Sequence, residues 1–180
     1  CRFCAVTTAK RPDALDMDEP RHLAETIRKM DLSYVVLTSV DRDDLEDQGA
    51  GHIARCIRAA KRANPDLLIE ILMPDFQGET PLVQQMIDSG AEVLAHNVET
   101  VARLTEKVRD PRAGYRQSLE VLRYLKANAP ELLFSVDMEK WVREAVAVDS
   151  PTARISLNAP NPRFVFSYFT HNFDNGIPIV

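Results

Sequence analysis

Apolar positions along the first 128 residues switch between a helical period and a strand period. Leu23, Ile27 and Met30 recur at helical spacing and predict a helix. The β-rich run Ser33–Val40 follows it as a strand. Ile53, Cys56, Ile57 and Ala60 form one stripe of a second helix, which Asn64 and Pro65 should end. Leu67–Met73 reads as a buried strand. Thr80 as N-cap, Pro81 in the first turn and Gly90 past the end bracket a short helix. Glu92–Val98 is another strand, with helices near 100–108 and 114–127 after it. Repeated β-α units of this length predict an α/β fold with a parallel sheet, organised as an open or closed barrel.

The pattern changes after Ala129. Seven of the twelve aromatic residues lie between Phe134 and Phe173, and no glycine occurs between Gly114 and Gly176, although β-α turns normally need a few. Leu132–Val136 reads as one more strand, Asp137 as the cap of a helix running through Trp141 to Ala147, and Arg163–Phe169 as a strand or hairpin arm. The expected division is an α/β unit over 1–128 and an irregular or β-rich tail over 129–180.

Composition narrows the class. Apolar residues at 45% and charged residues at 27% fit a globular chain. A net charge of −5 gives no electrostatic footprint for nucleic acid or anionic membrane. No apolar run approaches a membrane span, and no signal peptide opens the sequence. Three cysteines are too few for a disulfide framework, so a cytoplasmic setting is expected.

Polar residues collect where each strand should end: Thr38 and Ser39, then Asp75, then His96, Asn97 and Glu99. Ligands of parallel α/β folds bind at that edge, because the loops converge there. The chain opens on Cys1-Arg2-Phe3-Cys4, a C-x-x-C with an aromatic residue before its second cysteine. That is the last part of C-x-x-x-C-x-Φ-C (Φ aromatic), the motif whose three thiolates hold a [4Fe-4S] cluster in radical S-adenosylmethionine (SAM) enzymes.

Over residues 1 to about 128 the chain resembles the lipoyl synthase family of radical SAM enzymes. Five blocks carry the resemblance in order: Cys1–Val6, Val36–Leu45, Pro74–Gly78, His96–Val101 and Arg109–Ser118. The resemblance implies a partial (β/α) barrel of the radical SAM type. It also implies SAM-dependent insertion of two sulfur atoms at C6 and C8 of a protein-bound octanoyl group. The implied partners are an octanoylated lipoyl carrier domain or H-protein, and an electron donor such as flavodoxin or ferredoxin. The implied cofactors are SAM, the SAM-binding [4Fe-4S] cluster and a second cluster sacrificed as the sulfur source.

Carried onto this chain, the resemblance makes Cys1 and Cys4 cluster ligands and Phe3 a neighbour of the adenine. Thr38, Ser39 and Asp41 would meet the methionine end of SAM, although a plain turn with a helix cap uses the same residues. Asn97 and Glu99, two apart on one face of a strand end, suit the ribose hydroxyls. Glu99 also fits a role at a helix N-terminus. Arg116 offers a fork for the SAM carboxylate, with a solvated helix arginine as the equal alternative; Asp75 stands in the same balance. The acidic run Asp41–Asp47 reads as a solvated loop and cap, His96 as a satisfied, partly buried histidine and Cys56 as core.

The sequence also departs from that family. The first cluster cysteine would fall four residues before Cys1. The cysteine trio for the second cluster, the strand before the cysteine loop and the closing Arg-Ser-Ser-Tyr segment have no counterpart here. An N-terminally truncated chain, inactive alone, is the expectation. The competing readings are a thiol–disulfide module using Cys1 and Cys4, another radical SAM sulfur insertion or methylthiolation, and a non-catalytic piece with a partner-binding tail.

Overall fold

A computed structural model describes residues 1–6, 9, 12–133, 140–149 and 152–162. They fall in two compact units, Cys1–Leu133 and Phe134–Val180.

In the first unit, helices and parallel strands alternate: α1 (Glu19–Lys29), β1 (Tyr34–Thr38), α2 (Ala50–Ala63), β2 (Leu68–Leu72), α3 (Thr80–Ile87), β3 (Val93–Ala95), α4 (Ala102–Val108) and α5 (Tyr115–Asn128). The sheet order is β1-β2-β3, with Val35 opposite Ile69 and Ile71 opposite Leu94. Parallel neighbours need crossovers of a dozen residues or more, and the helices supply them. The result is a three-stranded parallel α/β sheet, a partial barrel wall.

Alternation along the strands decides which face is dry. Ile69, Ile71 and Leu94 are buried and join Ile27, Ile57, Val83, Met86, Val121 and Leu125 in one core. On the other face of the same strands, Tyr34, Val36 and Leu68 are exposed. Burying a side chain such as Leu125 contributes roughly 1.5–3 kcal/mol, so the helix-covered face carries the stability of this unit. α1 packs on α2, and α3 packs on both α2 and α5.

Local chemistry fixes the helix ends. Pro20 and Glu19 sit in the first turn of α1 and Arg28 and Lys29 in its last, which suits the helix dipole. Asp47 accepts hydrogen bonds from the N–H groups of Gly49 and Gly51, each 3.0 Å away, and so caps α2. A Cβ on Gly51 would lie 2.7 Å from Asp47 Oδ2, so the cap requires glycine there.

Several boundaries differ from the sequence reading. Met30 lies past the end of α1 and is exposed, so the buried stripe stops at Ile27. Thr80 is the first residue of α3, with Glu79 in the cap position. The strand expected over 92–98 runs only from Val93 to Ala95, because the polar residues after it turn into a cleft.

In the second unit, β4 (Val142–Ala147) and β5 (Ala153–Leu157) form an antiparallel pair, with Val146 opposite Arg154. The helix expected to run through Trp141 to Ala147 is therefore corrected to a strand over Val142–Ala147. Pairing with β5 overrides the weak helical preference of Arg143, Glu144 and Ala145. Leu132 ends a 3-10 turn rather than opening a strand. Phe134–Val136, Asp137 and the proposed arm Arg163–Phe169 lie outside the described residues.

Candidate active site

The C-terminal strand ends open into a cleft of about 840 Å3, walled by the Cys1–Cys4 loop and the segments after β1, β2, β3 and α4. The cysteine loop is a tight turn: the Cys4 N–H donates to the Cys1 carbonyl at 3.2 Å. The Arg2 N–H reaches the Val108 carbonyl at 2.9 Å, pinning the turn to the end of α4. Both thiols are free and exposed. The Asp110 N–H already donates to Cys1 Sγ at 3.4 Å, an interaction that favours a thiolate.

One wall of the cleft is acidic. The Asp41 carboxyl is pushed up from its ordinary value, by burial first and then by the charges of Asp43 and Asp75. Asp43 accepts from Gln77 Nε2 at 3.2 Å and from Arg112. Arg112 also donates to Asp110 at 2.8 Å, and this hydrogen bond holds the Asp110 carboxyl down at about 2. Arg112 thus ties the loop after β1 to the loop that carries Asp110. Asp41, Asp43 and Asp44 line the cleft, Asp44 paired with Arg42, while Asp47 turns away to cap α2.

The segment after β2 bends sharply. Phe76, Gln77 and Gly78 all take left-handed backbone angles, at φ 46°, 51° and 81°. Two of the three carry side chains, at roughly 1–2 kcal/mol each. Burial of Phe76, the Gln77 N–H to Asp75 Oδ1 bond (3.0 Å) and the Gln48 Nε2 to Phe76 carbonyl bond (3.2 Å) hold the turn. Glu99, also on the cleft, has φ 67°.

Behind the cleft runs a hydrogen-bonded chain. His96 Nδ1 lies 3.0 Å from the Met73 carbonyl, so it carries the proton and donates. Its Nε2 then accepts from Ser118 Oγ at 3.0 Å. Arg109 Nη1 donates to the same hydroxyl at 2.9 Å. His96 is satisfied by these bonds. Arg109 is buried, lines the cleft and makes no carboxylate ion pair among the described residues.

Two buried side-chain atoms among the described residues have no hydrogen-bond partner: Asp75 Oδ2 and Arg109 Nε. Both residues line the cleft. Buried polar atoms are normally paired, so a ligand bearing both charges would find an open partner on each residue. An amino-acid group, with its ammonium and carboxylate, has that chemistry. Two thiols on one short loop beside it suit an iron–sulfur cubane. The residues present therefore fit both groups.

Cys1, Phe3, Cys4, Ser39, Asp41, Asp75, His96, Asn97 and Glu99 come together on the cleft. Thr38 ends β1 and Arg116 lies in the first turn of α5; both are exposed and neither lines it. Cys56 is buried on α2, and burial raises its thiol to about 11. Arg109 and Ser118 join the site without having been marked by the sequence. They bound the block Arg109–Ser118, in which three arginines compete and spacing alone does not say which is buried.

The model of the radical SAM superfamily matches residues 1–138. The chain is 57% identical over 133 residues to a lipoyl synthase of Halorhodospira halophila, covering 74% of this chain and 40% of that protein. It is 59% identical over 125 residues to a lipoyl synthase of Halobacterium salinarum, covering 69% and 40%. A mitochondrial lipoyl synthase of Schizosaccharomyces pombe is 54% identical over 133 residues, covering 74% and 36%. The chain spans about two fifths of the length of these relatives. With the cysteine turn, the strand-end cleft and the matched model in agreement, the chain belongs to the radical SAM superfamily, and the relatives it matches there are lipoyl synthases.

Proposed function

We propose that this chain carries the SAM- and cluster-binding part of a lipoyl synthase. The reaction is insertion of sulfur at C6 and C8 of an octanoyl group on a lipoyl carrier domain or H-protein, with a flavodoxin- or ferredoxin-like electron donor. The observation that carries the reading is the cleft itself, where the Cys1–Cys4 turn meets all three strand ends and two unpartnered buried polar atoms.

Cys1 and Cys4 would hold the [4Fe-4S] cluster, with the Asp110 N–H supporting the Cys1 thiolate. Asp75 would meet the ammonium of SAM. Arg109, buried and lining the cleft, is better placed for the carboxylate than the exposed Arg116. Ser39 and Asp41 border the same end, while Asn97 and Glu99 offer acceptors to the ribose and Phe3 an apolar surface to the adenine. Bound there, the reduced cluster and SAM supply the one-electron cleavage that generates a radical able to take hydrogen from unactivated carbon. The chain's own residues bind, orient and shield.

Anaerobic incubation with iron and sulfide tests the reading. Iron and sulfide uptake should exceed that of the Cys1→Ser/Cys4→Ser double variant, and the loaded protein should bind SAM. Equal uptake by the two proteins would return Cys1 and Cys4 to a thiol–disulfide role.

A further inference from the structure

A second group of metal-type ligands lies away from the cleft, between α1 and α2. A carboxylate oxygen of Glu19, a ring nitrogen of His52 and Cys56 Sγ all fall within 4.8 Å of one another. His52 and Cys56 are four apart on α2, the spacing that stacks two side chains on one helix face. Each is 7% exposed. Glu19, in the first turn of α1, approaches from the facing helix, and its carboxylate contacts His52 Nε2 at 2.6 Å. None of the three is used in the cleft.

From this geometry we infer that Glu19, His52 and Cys56 form a three-ligand site for a zinc-like divalent cation. One nitrogen, one sulfur and one carboxylate oxygen are the donor mixture of borderline-soft first-row ions, and a fourth position stays open to water. A tetrahedral ion needs donor atoms roughly 3.3–3.6 Å apart, from bonds of about 2.0–2.3 Å. The Glu19–His52 contact is shorter than that, at 2.6 Å, and no pair of donor atoms exceeds 4.8 Å. The Glu19 side chain is 57% exposed and free to draw back from His52. The two ligands on α2 need only rotamer-scale adjustment.

The arrangement also explains how the site is held without an ion. Arg55 Nη2 donates to His52 Nδ1 at 3.3 Å, so Nε2 carries the proton and donates to Glu19. The ion replaces that proton at Nε2. The ring proton then moves to Nδ1, and Arg55 turns away into the open groove of about 650 Å3 that it lines with Arg28 and Arg62. The Cys56 thiol gives up its proton to the solvent as the metal–sulfur bond forms. The ion would staple the first turn of α1, which follows the segment leading from the cysteine loop, onto α2.

The test uses Co2+ as a spectroscopic probe on the 180-residue chain carrying Cys1→Ser and Cys4→Ser, so that Cys56 is the remaining thiol. One Co2+ per chain, with a thiolate-to-cobalt charge-transfer band and intense visible bands of four-coordination, is expected. Zn2+ should displace it and raise the melting temperature. Cys56→Ser should abolish the charge-transfer band, and Glu19→Ala, at an exposed position, should weaken binding by more than about tenfold, at least the loss that removal of an outer-shell partner brings. Absence of the band in a chain whose circular dichroism is unchanged overturns the site. So does a band that survives Cys56→Ser, or full affinity in Glu19→Ala.

Discussion

Behind the sheet, Ile69, Ile71 and Leu94 pack with helix side chains in one core, and each is at most 2% exposed. Around the cleft, Asp75 just after β2 and Arg109 at the end of α4 each hold a buried polar atom with no partner among the described residues. Phe76, Gln77 and Glu99 sit there in backbone conformations that side chains resist. The first region is built for stability. The second is held in place by the first and leaves those two polar atoms open. The difference shows where a substitution should cost folding and where it should cost binding.

The largest effect is expected in the core. Ile71→Ala should lower unfolding free energy by about 2–5 kcal/mol, measured by urea denaturation. A loss below about 1 kcal/mol would mean that the helix-covered face is not the source of stability. At the strand ends the order should reverse. Arg109→Met removes a buried guanidinium with no acidic partner among the described residues, and relief of that buried charge offsets the loss of its hydrogen bonds to Ser118 Oγ and the Val98 carbonyl. Its stability should stay within about 1 kcal/mol of the parent, while SAM affinity of the loaded protein falls at least tenfold. A variant that unfolds but binds normally once refolded would break the comparison.

Asp47→Ala tests the join between the regions. It removes the α2 cap and should cost about 0.5–2 kcal/mol, read as a lower melting temperature with SAM binding retained.

The smallest effects separate two carboxylates of the cleft rim by their pH slopes. Asp41 is raised, so its contribution is favourable only while protonated and is lost as pH climbs through its folded-state value. Asp41→Asn should therefore match or exceed the parent melting temperature at pH 7, with the gain vanishing below about pH 4. Asp110 is depressed to about 2 by Arg112. Its contribution is present above the ordinary carboxylate value, about 3.9, and fades as pH falls from there toward 2. Asp110→Asn should be slightly less stable at pH 7 and equal to the parent near pH 2. Because this pair is solvent-accessible, the difference should be small and shrink in salt. Slopes of the same sign would refute the assignment.

The core was legible because burial writes itself into spacing. Ile53, Cys56, Ile57 and Ala60 form a stripe, and Leu67–Met73 an apolar run, in the bare order of the residues. The Cys1–Cys4 turn and the polar strand ends were legible as chemistry at a predictable edge. β4 was not, since Val142–Ala147 has no strong period and its conformation depends on pairing with β5. Arg109 was not, because a basic block does not announce which guanidinium the fold encloses. The Glu19–His52–Cys56 cluster was half visible: the α2 pair is local, but Glu19 comes within reach only when α1 docks.

The left-handed turn at Phe76–Gly78 has a bearing on how such a chain evolves and is engineered. Gln77 is exposed and holds an angle that glycine adopts without penalty. A deep scan for thermal tolerance should find gains from glycine at 77 and at 99, among a background where most replacements harm. Residues that improve durability when discarded are those retained for another reason. Four of the five side-chain-bearing residues at positive φ among the described residues, Gln48, Phe76, Gln77 and Glu99, line the cleft and Asp31 does not, so an unbiased hunt for sturdier variants would be weighted toward the cleft without a ligand ever being added.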